Sequence, residues 1–221
     1  MEAKKEYRGI PFWSWNGILE KQEIIRQVYV LKEMGFGGFF MHSRTGLATE
    51  YLGEEWFGLI RIAAEEGKAL GMDAWLYDED RWPSGTAGGE VTKTPAYQMK
   101  FISMYDGDSV PADGVHIAGE LGRFAVKLNE RNELEDYYPI KEGEPVKVGY
   151  VVKKFLIEHM KPQEFYNGYT YLDTLNREAT DAFLASTHEK YRKHCGDLFG
   201  NTLKGIFADE PHRGAVLNGF I

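Results

Sequence analysis

Cysteine is nearly missing from this chain, and so is any long run of one character. The single thiol, Cys195 in 221 residues, excludes an internal disulfide and separates the chain from small scaffolds stapled by bridges. Basic residues are outnumbered, 26 Lys and Arg against 34 Asp and Glu, for a net charge of −8. That balance, with no long basic run, argues against a phosphate-binding surface, so no nucleic acid partner is expected. Apolar runs such as "GFGGFFM" are far too short to cross a bilayer as a helix, and no membrane partner is expected either. The N-terminal "MEAKKEYRGIPFW" has no apolar core of the kind a secretory signal needs, so the expected setting is reducing and cytoplasmic. Neither a G-x-G-x-x-G nor a Walker-type loop follows any strand, and no cofactor or bound metal is expected.

What is present is enough apolar and aromatic material for a core, 43% and 14% of residues, carried on an internal repeat. "KEMGFGGFFMHSR" (32–44) lies over "KALGMDAWLYDED" (68–80) at an offset of 36 residues, matching Lys to Lys, Gly35 to Gly71 and apolar run to apolar run. Each copy reads as a helix end, a capping glycine, a buried strand and then polar residues. The helices ahead of them carry one apolar face each, Ile24, Ile25, Val28 and Leu31 in the first, Trp56, Ile60, Ala63, Ala64, Gly67 and Leu70 in the second. A third helix, with Phe183, Leu184, Thr187, Tyr191 and Leu198 in phase, leads to Gly200 and the strand "TLKGIFA". Strands are therefore expected at about 9–15, 36–41, 72–77 and 203–208. Strand–helix alternation at the ~30-residue spacing of a (β/α)8 barrel favours a parallel α/β sheet, a partial TIM-like barrel of about four βα units, with a doubly wound sheet as the alternative.

Residues 91–172 break the rhythm, with short β-branched and aromatic runs divided by Asp-Gly, Asn-Glu-Arg-Asn and Glu-Gly-Glu-Pro turn signals. The division expected is therefore 1–90, three βα units; 91–172, a β-rich insertion; and 173–221, a helix and the fourth barrel strand, ending before barrel closure.

Chemistry gathers where the strands end. Those ends carry Ser14, Trp15 and Asn16; His42, Ser43 and Arg44; Asp78, Glu79, Asp80 and Arg81; and Asp209, Glu210 and His212. In barrels, functional side chains come from the C-terminal ends of several strands. Glu210 is the strongest single candidate, because it sits at a strand end before a proline that stops regular pairing. Side chains alternate along a strand, so Asp209 points away from its neighbour. The three acids of "YDEDRWPSG" repel one another unless Arg81, Arg44 or a set of sugar hydroxyls compensates them. Of the aromatics, Trp15 and Trp82, flanked by polar residues, suit the apolar face of a sugar ring, and Trp75 reads as core.

"PFWSWNG", "GFGGFFMHSRTGL", "WLYDEDRWPSGTAGG" and "LKGIFADEP" together resemble the first half of the (β/α)8 catalytic domain of large bacterial glycoside hydrolases, especially the α-L-rhamnosidase-like group. The fourth strand of barrel glycosidases often ends in Asn-Glu-Pro with the glutamate as general acid; here Asp209-Glu210-Pro211 occupies that place, departing at Asp209. The resemblance implies a carbohydrate substrate, Glu210 as the catalytic acid, and a sugar-binding set of Trp15, Asn16, His42, Arg44, Asp78, Glu79, Arg81, Trp82, Asp209 and His212. The second carboxylate would come from a later strand, or unusually from Asp78, Glu79 or Asp80. Two other readings stay open: a metal-dependent hydrolase with His42, Asp78, Glu210 and His212 as ligands, and a non-catalytic carbohydrate-binding fragment. A half-barrel would also expose inward side chains such as Phe39, Trp75 and Phe207, so a homo-oligomer, or association with the missing barrel half, is expected.

Overall fold

The protein is described by a computed structural model that covers residues 4–107, 109 and 116–213. In chain order the elements are β1 (Phe12–Gly17), α1 (Lys21–Glu33), β2 (Gly38–Leu47), α2 (Glu54–Ala69), β3 (Asp73–Tyr77), β4 (Lys100–Asp106), β5 (Ile117–Leu128), β6 (Leu134–Ile140), β7 (Val151–His159), α3 (Arg177–Ser186), α4 (His188–Cys195) and β8 (Leu203–Phe207). They form two compact units, Met1–Tyr97 with Leu172–Ile221, and Gln98–Tyr171. No helix among the described residues is long and apolar enough to cross a membrane.

The first unit is built on a parallel sheet in the order β1-β2-β3-β8. Its repeat is legible in the helix ends: Gly35 and Gly71, just past α1 and α2, take φ of 86° and 69°, a left-handed conformation that ends a helix without the clash a Cβ would bring. Alternation then gives the sheet two faces. Trp13, Trp15, Phe39, Met41, Ala74 and Leu76 are buried with Val28, Trp56, Ile60, Tyr191 and Cys195, the helix-side core. Each large side chain removed from water there contributes about 1.5–3 kcal/mol. Two glycines let backbones close up. A Cβ on Gly38 would sit 2.2 Å from the Asp73 carbonyl oxygen, and one on Gly205 would sit 2.8 Å from the Trp75 ring.

The opposite face is aromatic and open. Phe12, Phe40, Trp75 and Phe207 share it, with Phe12 52% exposed. Phe39 is not among them: it is fully buried on the helix side, and its neighbour Phe40 takes the position expected of it, because a shift of one residue swaps faces. The sheet is strongly curved. The rings of Phe12 on β1 and Phe207 on β8 lie 5.0 Å apart, although their strands are three places apart, which in a flat sheet means ~14 Å at the usual strand spacing. The aromatic face is thus the concave one.

The third helix is divided. Thr187 donates its hydroxyl to the Phe183 carbonyl at 2.8 Å, and with φ −116° and ψ −74° it separates α3 from α4. A threonine hydroxyl returning to the carbonyl four residues back bends a helix in this way. The break leaves His188 as the first residue of α4.

In the second unit β4, β7, β5 and β6 lie side by side in that order, all pairs antiparallel. The Asn129–Asn132 turn joins β5 to β6, with Asn132 at φ 67° and the Asn129 carboxamide oxygen accepting the Arg131 and Glu133 N–H groups. A small core of Met99, Met160, Tyr166 and Tyr171 belongs to this unit. Val91, by contrast, packs with Ala87, Leu172, Ala179 and Phe183 in the first unit, so the segment around residue 91 is part of the α/β body.

Candidate functional site

Parallel strands deliver their C-terminal ends to one edge of the sheet, and the loop after β3 is the best-built element there. Its foundation is Glu79, fully buried, whose two oxygens accept the backbone N–H groups of Asp80, Gly85, Thr86, Ala87 and Gly88 at 2.6 to 2.9 Å. Five donors converging on one carboxylate wrap residues 80–88 around it. Burial pushes this carboxyl up to about 7, against the pull of those N–H groups. Glu79 is therefore an internal anchor, sealed from any ligand.

The acids beside it are compensated separately. Asp78, also fully buried, accepts the Ser84 hydroxyl at 2.5 Å and faces His188 Nε2 at 2.9 Å. Asp80 accepts the Ser43 hydroxyl at 3.0 Å and the Arg81 Nε and guanidinium at 3.1 and 2.9 Å. The three consecutive carboxylates thus stay together because each has its own partner: a serine and a histidine, a cradle of amides, a serine and an arginine. All three, expected as unusual candidates for the second carboxylate, are buried. Arg44 is exposed within the extended β2, which runs past His42 and Ser43 to Leu47.

The β3 loop is braced to the end of β8 by one serine. Ser84 N–H donates to the Asp209 carbonyl at 2.9 Å, and the Asp209 N–H donates to the Ser84 hydroxyl at 2.8 Å. From this clasp the two acids of β8's end diverge. Asp209 accepts the Tyr77 hydroxyl at 2.9 Å, while exposed Glu210, at φ 46°, accepts the Trp82 indole N–H at 3.1 Å. A non-glycine residue in the left-handed region is costly and is held only where its surroundings fix it, a pattern that gathers at functional sites.

Beneath the rim sits a stacked pair. His42 and Tyr77 lie 3.6 Å apart between ring centroids at 23°, with Phe12 edge-on to His42. His42 Nδ1 donates to the Ser43 carbonyl at 2.7 Å, and burial lowers its basicity, which favours the neutral ring with Nε2 as an acceptor. Burial, then the Asp209 carboxylate, raises the Tyr77 hydroxyl far above its usual range, which keeps it a hydrogen-bond donor.

The remaining expected residues divide. Asn16 is exposed at the end of β1, sharing the alternation of Phe12 and Ser14. His212 is half-buried, its ring 6.2 Å from Trp82 and its carbonyl accepting the Thr174 hydroxyl at 2.9 Å. Trp15 lies elsewhere: it is 1% exposed and packs edge-on against Trp13 and Trp56 in the helix-side core, so it offers no platform to a ligand. Three residues of the site escaped the sequence reading. By sequence Tyr77 groups only with the aromatics beside the strand ends, and Ser84 lies in a turn-rich loop. His188 lies 110 residues from Asp78, with no local signal to connect them.

Among the described residues, no group of three or more His, Cys, Asp or Glu side chains is placed to hold a metal ion. No protein-family model matches the chain, and no curated protein matches it. A solved structure similar to it is that of a rhamnosidase from Novosphingobium sp. PP1Y, at 23% identity and a TM-score of 0.40 over 56% of this chain. The match spans 14% of that rhamnosidase, a likeness too loose to carry an argument about fold or function.

Proposed function

We propose that this chain carries the catalytic acid of a glycoside hydrolase, Glu210, on a sheet that forms four strands of a (β/α)8 barrel. The observation that carries the reading is the setting of Glu210: exposed, at a left-handed φ, tied to the Trp82 indole, at the rim of a concave aromatic face. Curvature sufficient to bring Phe12 and Phe207 into contact supports the barrel, because a doubly wound sheet is open and gently twisted. Apolar rings below and hydrogen-bonding groups above suit a sugar, which presents C–H faces and hydroxyls together.

In this reading a protonated Glu210 gives its proton to the glycosidic oxygen as the bond to the anomeric carbon breaks, and water supplies the replacing hydroxyl. His42 Nε2, Arg44 and Asn16 would meet sugar hydroxyls. Asp209, half-buried beside Glu210, is a further acid at this rim. The metal-hydrolase alternative has no observation in its favour, since both oxygens of Asp78 already meet Ser84 and His188.

Glu210→Gln, made in the whole protein, tests the proposal. Cleavage of unactivated glycosides should fall by roughly 10²–10⁴-fold with the fold intact by circular dichroism, and glycosides with acidic leaving groups should be partly spared. Undiminished cleavage of both kinds rules the assignment out. Binding on a glycan array without any product release would favour the non-catalytic reading instead.

A further inference from the structure

Resting on the glycosidase reading, we infer that Trp82 is a positioning residue for the acid: its indole N–H fixes Glu210 Oε2 and so leaves Oε1 as the oxygen that carries and delivers the proton. The indole is a donor only. Its Nε1 lies 3.1 Å from Oε2, so that oxygen is the acceptor, and because a carbonyl oxygen accepts better than a hydroxyl oxygen the contact favours the carboxylic O–H on the other oxygen. The indole is itself fixed by construction. Trp82 leads directly into Pro83 and Ser84, in the loop that Glu79 holds through five amides and that Ser84 clasps to Asp209, the residue before Glu210. The donor and the acid therefore sit in the loops after β3 and β8, tied together two residues from Trp82 and one residue from Glu210.

The chemistry follows from that geometry. The proton on Oε1 passes to the glycosidic oxygen, which also takes the electron pair of the breaking C–O bond and leaves as a neutral alcohol. Water supplies the hydroxyl at the anomeric carbon, and its second proton goes to a carboxylate base. The negative charge left on Glu210 is shared with Oε2, where the indole N–H already points. Loss of that N–H lets the carboxyl rotate, which harms only steps that need proton delivery. An indole acting as a stacking platform would affect binding instead.

The test is Trp82→Phe in the whole protein, assayed on aryl and alkyl glycosides of graded leaving-group acidity. Replacement of Trp82 by benzothienylalanine, which keeps the bicyclic shape and lacks the N–H, serves as a second variant should phenylalanine disturb folding. The expected result is a kcat on poor leaving groups that falls about 10- to 100-fold, while dinitrophenyl glycosides and KM change little. Equal loss across all leaving groups, or a rise confined to KM, overturns the inference and leaves the glycosidase reading standing. No turnover of any glycoside by the unaltered protein overturns both. Independently of turnover, Glu210→Ala should speed solvent exchange of the Trp82 indole proton seen by NMR, and unchanged exchange overturns the contact itself.

Discussion

Glu79 shows how far a side chain's chemical type is from its role. In the sequence it is the middle of three acids at a strand end and could bind a sugar as well as its neighbours; in the fold it faces inward and organises the loop that presents them. Its burial has a measurable consequence. A carboxyl raised from 4.5 to about 7 on folding favours the native state while protonated in both states, and that contribution is lost as pH rises from about 4.5 through 7. The span corresponds to roughly 3 kcal/mol at most. Glu79→Gln, which cannot ionise, should therefore be most destabilising near pH 4.5, and the gap to the unaltered protein should narrow toward pH 7.5. Denaturant unfolding at both pH values measures this; a gap independent of pH would show that the N–H donors cancel the effect of burial, and a gap that widens with pH would show that they outweigh it.

Between elements, the coupling of β3 to β8 depends on Ser84. These strands are already paired, through Leu76 with Ile206 and Tyr77 with Phe207, but the register shifts along the pair and their loops would otherwise part beyond the last rung. Ser84 closes that gap, while its hydroxyl also meets buried Asp78. Ser84→Ala removes the side-chain bonds and leaves Asp78 Oδ1 and the Asp209 N–H short of a partner. A cost of about 1–3 kcal/mol is expected, and under the proposed glycosidase function the loss of cleavage should exceed what the stability change explains. Thermal unfolding and kinetics on the same preparation check it; a stability loss with unaltered kinetics would detach the clasp from the site. Thr187 works at this scale too, since the break it makes between α3 and α4 puts His188 against Asp78.

At the scale of the molecule, the two faces of the parallel sheet differ in kind. Helices cover one, while the other holds Phe12, Phe40, Trp75 and Phe207 with Phe12 about half exposed. An aromatic face of this kind, flanked by the strand edges of β1 and β8, favours self-association. We expect the 221-residue chain to sediment as an oligomer at micromolar concentration. Phe12→Ser, which keeps an extended strand while removing an exposed ring, should shift it toward monomer. A chain that is monomeric at high concentration before any substitution contradicts this expectation.

The local pattern alone determined the βα rhythm: glycine after amphipathic helix, apolar run after glycine, and polar residues after the run are written within a few turns of chain, where periodicity reads directly. It also put acids and a histidine at the strand ends, because polar residues following buried runs have few other places to go. Which face each side chain takes was beyond it. Phe39 and Phe40 are interchangeable by composition, and Trp15 looked accessible beside Ser14 and Asn16; register and helix packing, set by contacts distant in sequence, put Phe39 and Trp15 in the core. The same holds for the acids. Asp78, Glu79 and Asp80 are chemically alike, and only the folded loop could give one to His188, one to five amides and one to Ser43 and Arg81, because the loop must wrap on Glu79 and because Ser43 and His188 lie 37 and 110 residues away and meet these acids only once the sheet has formed.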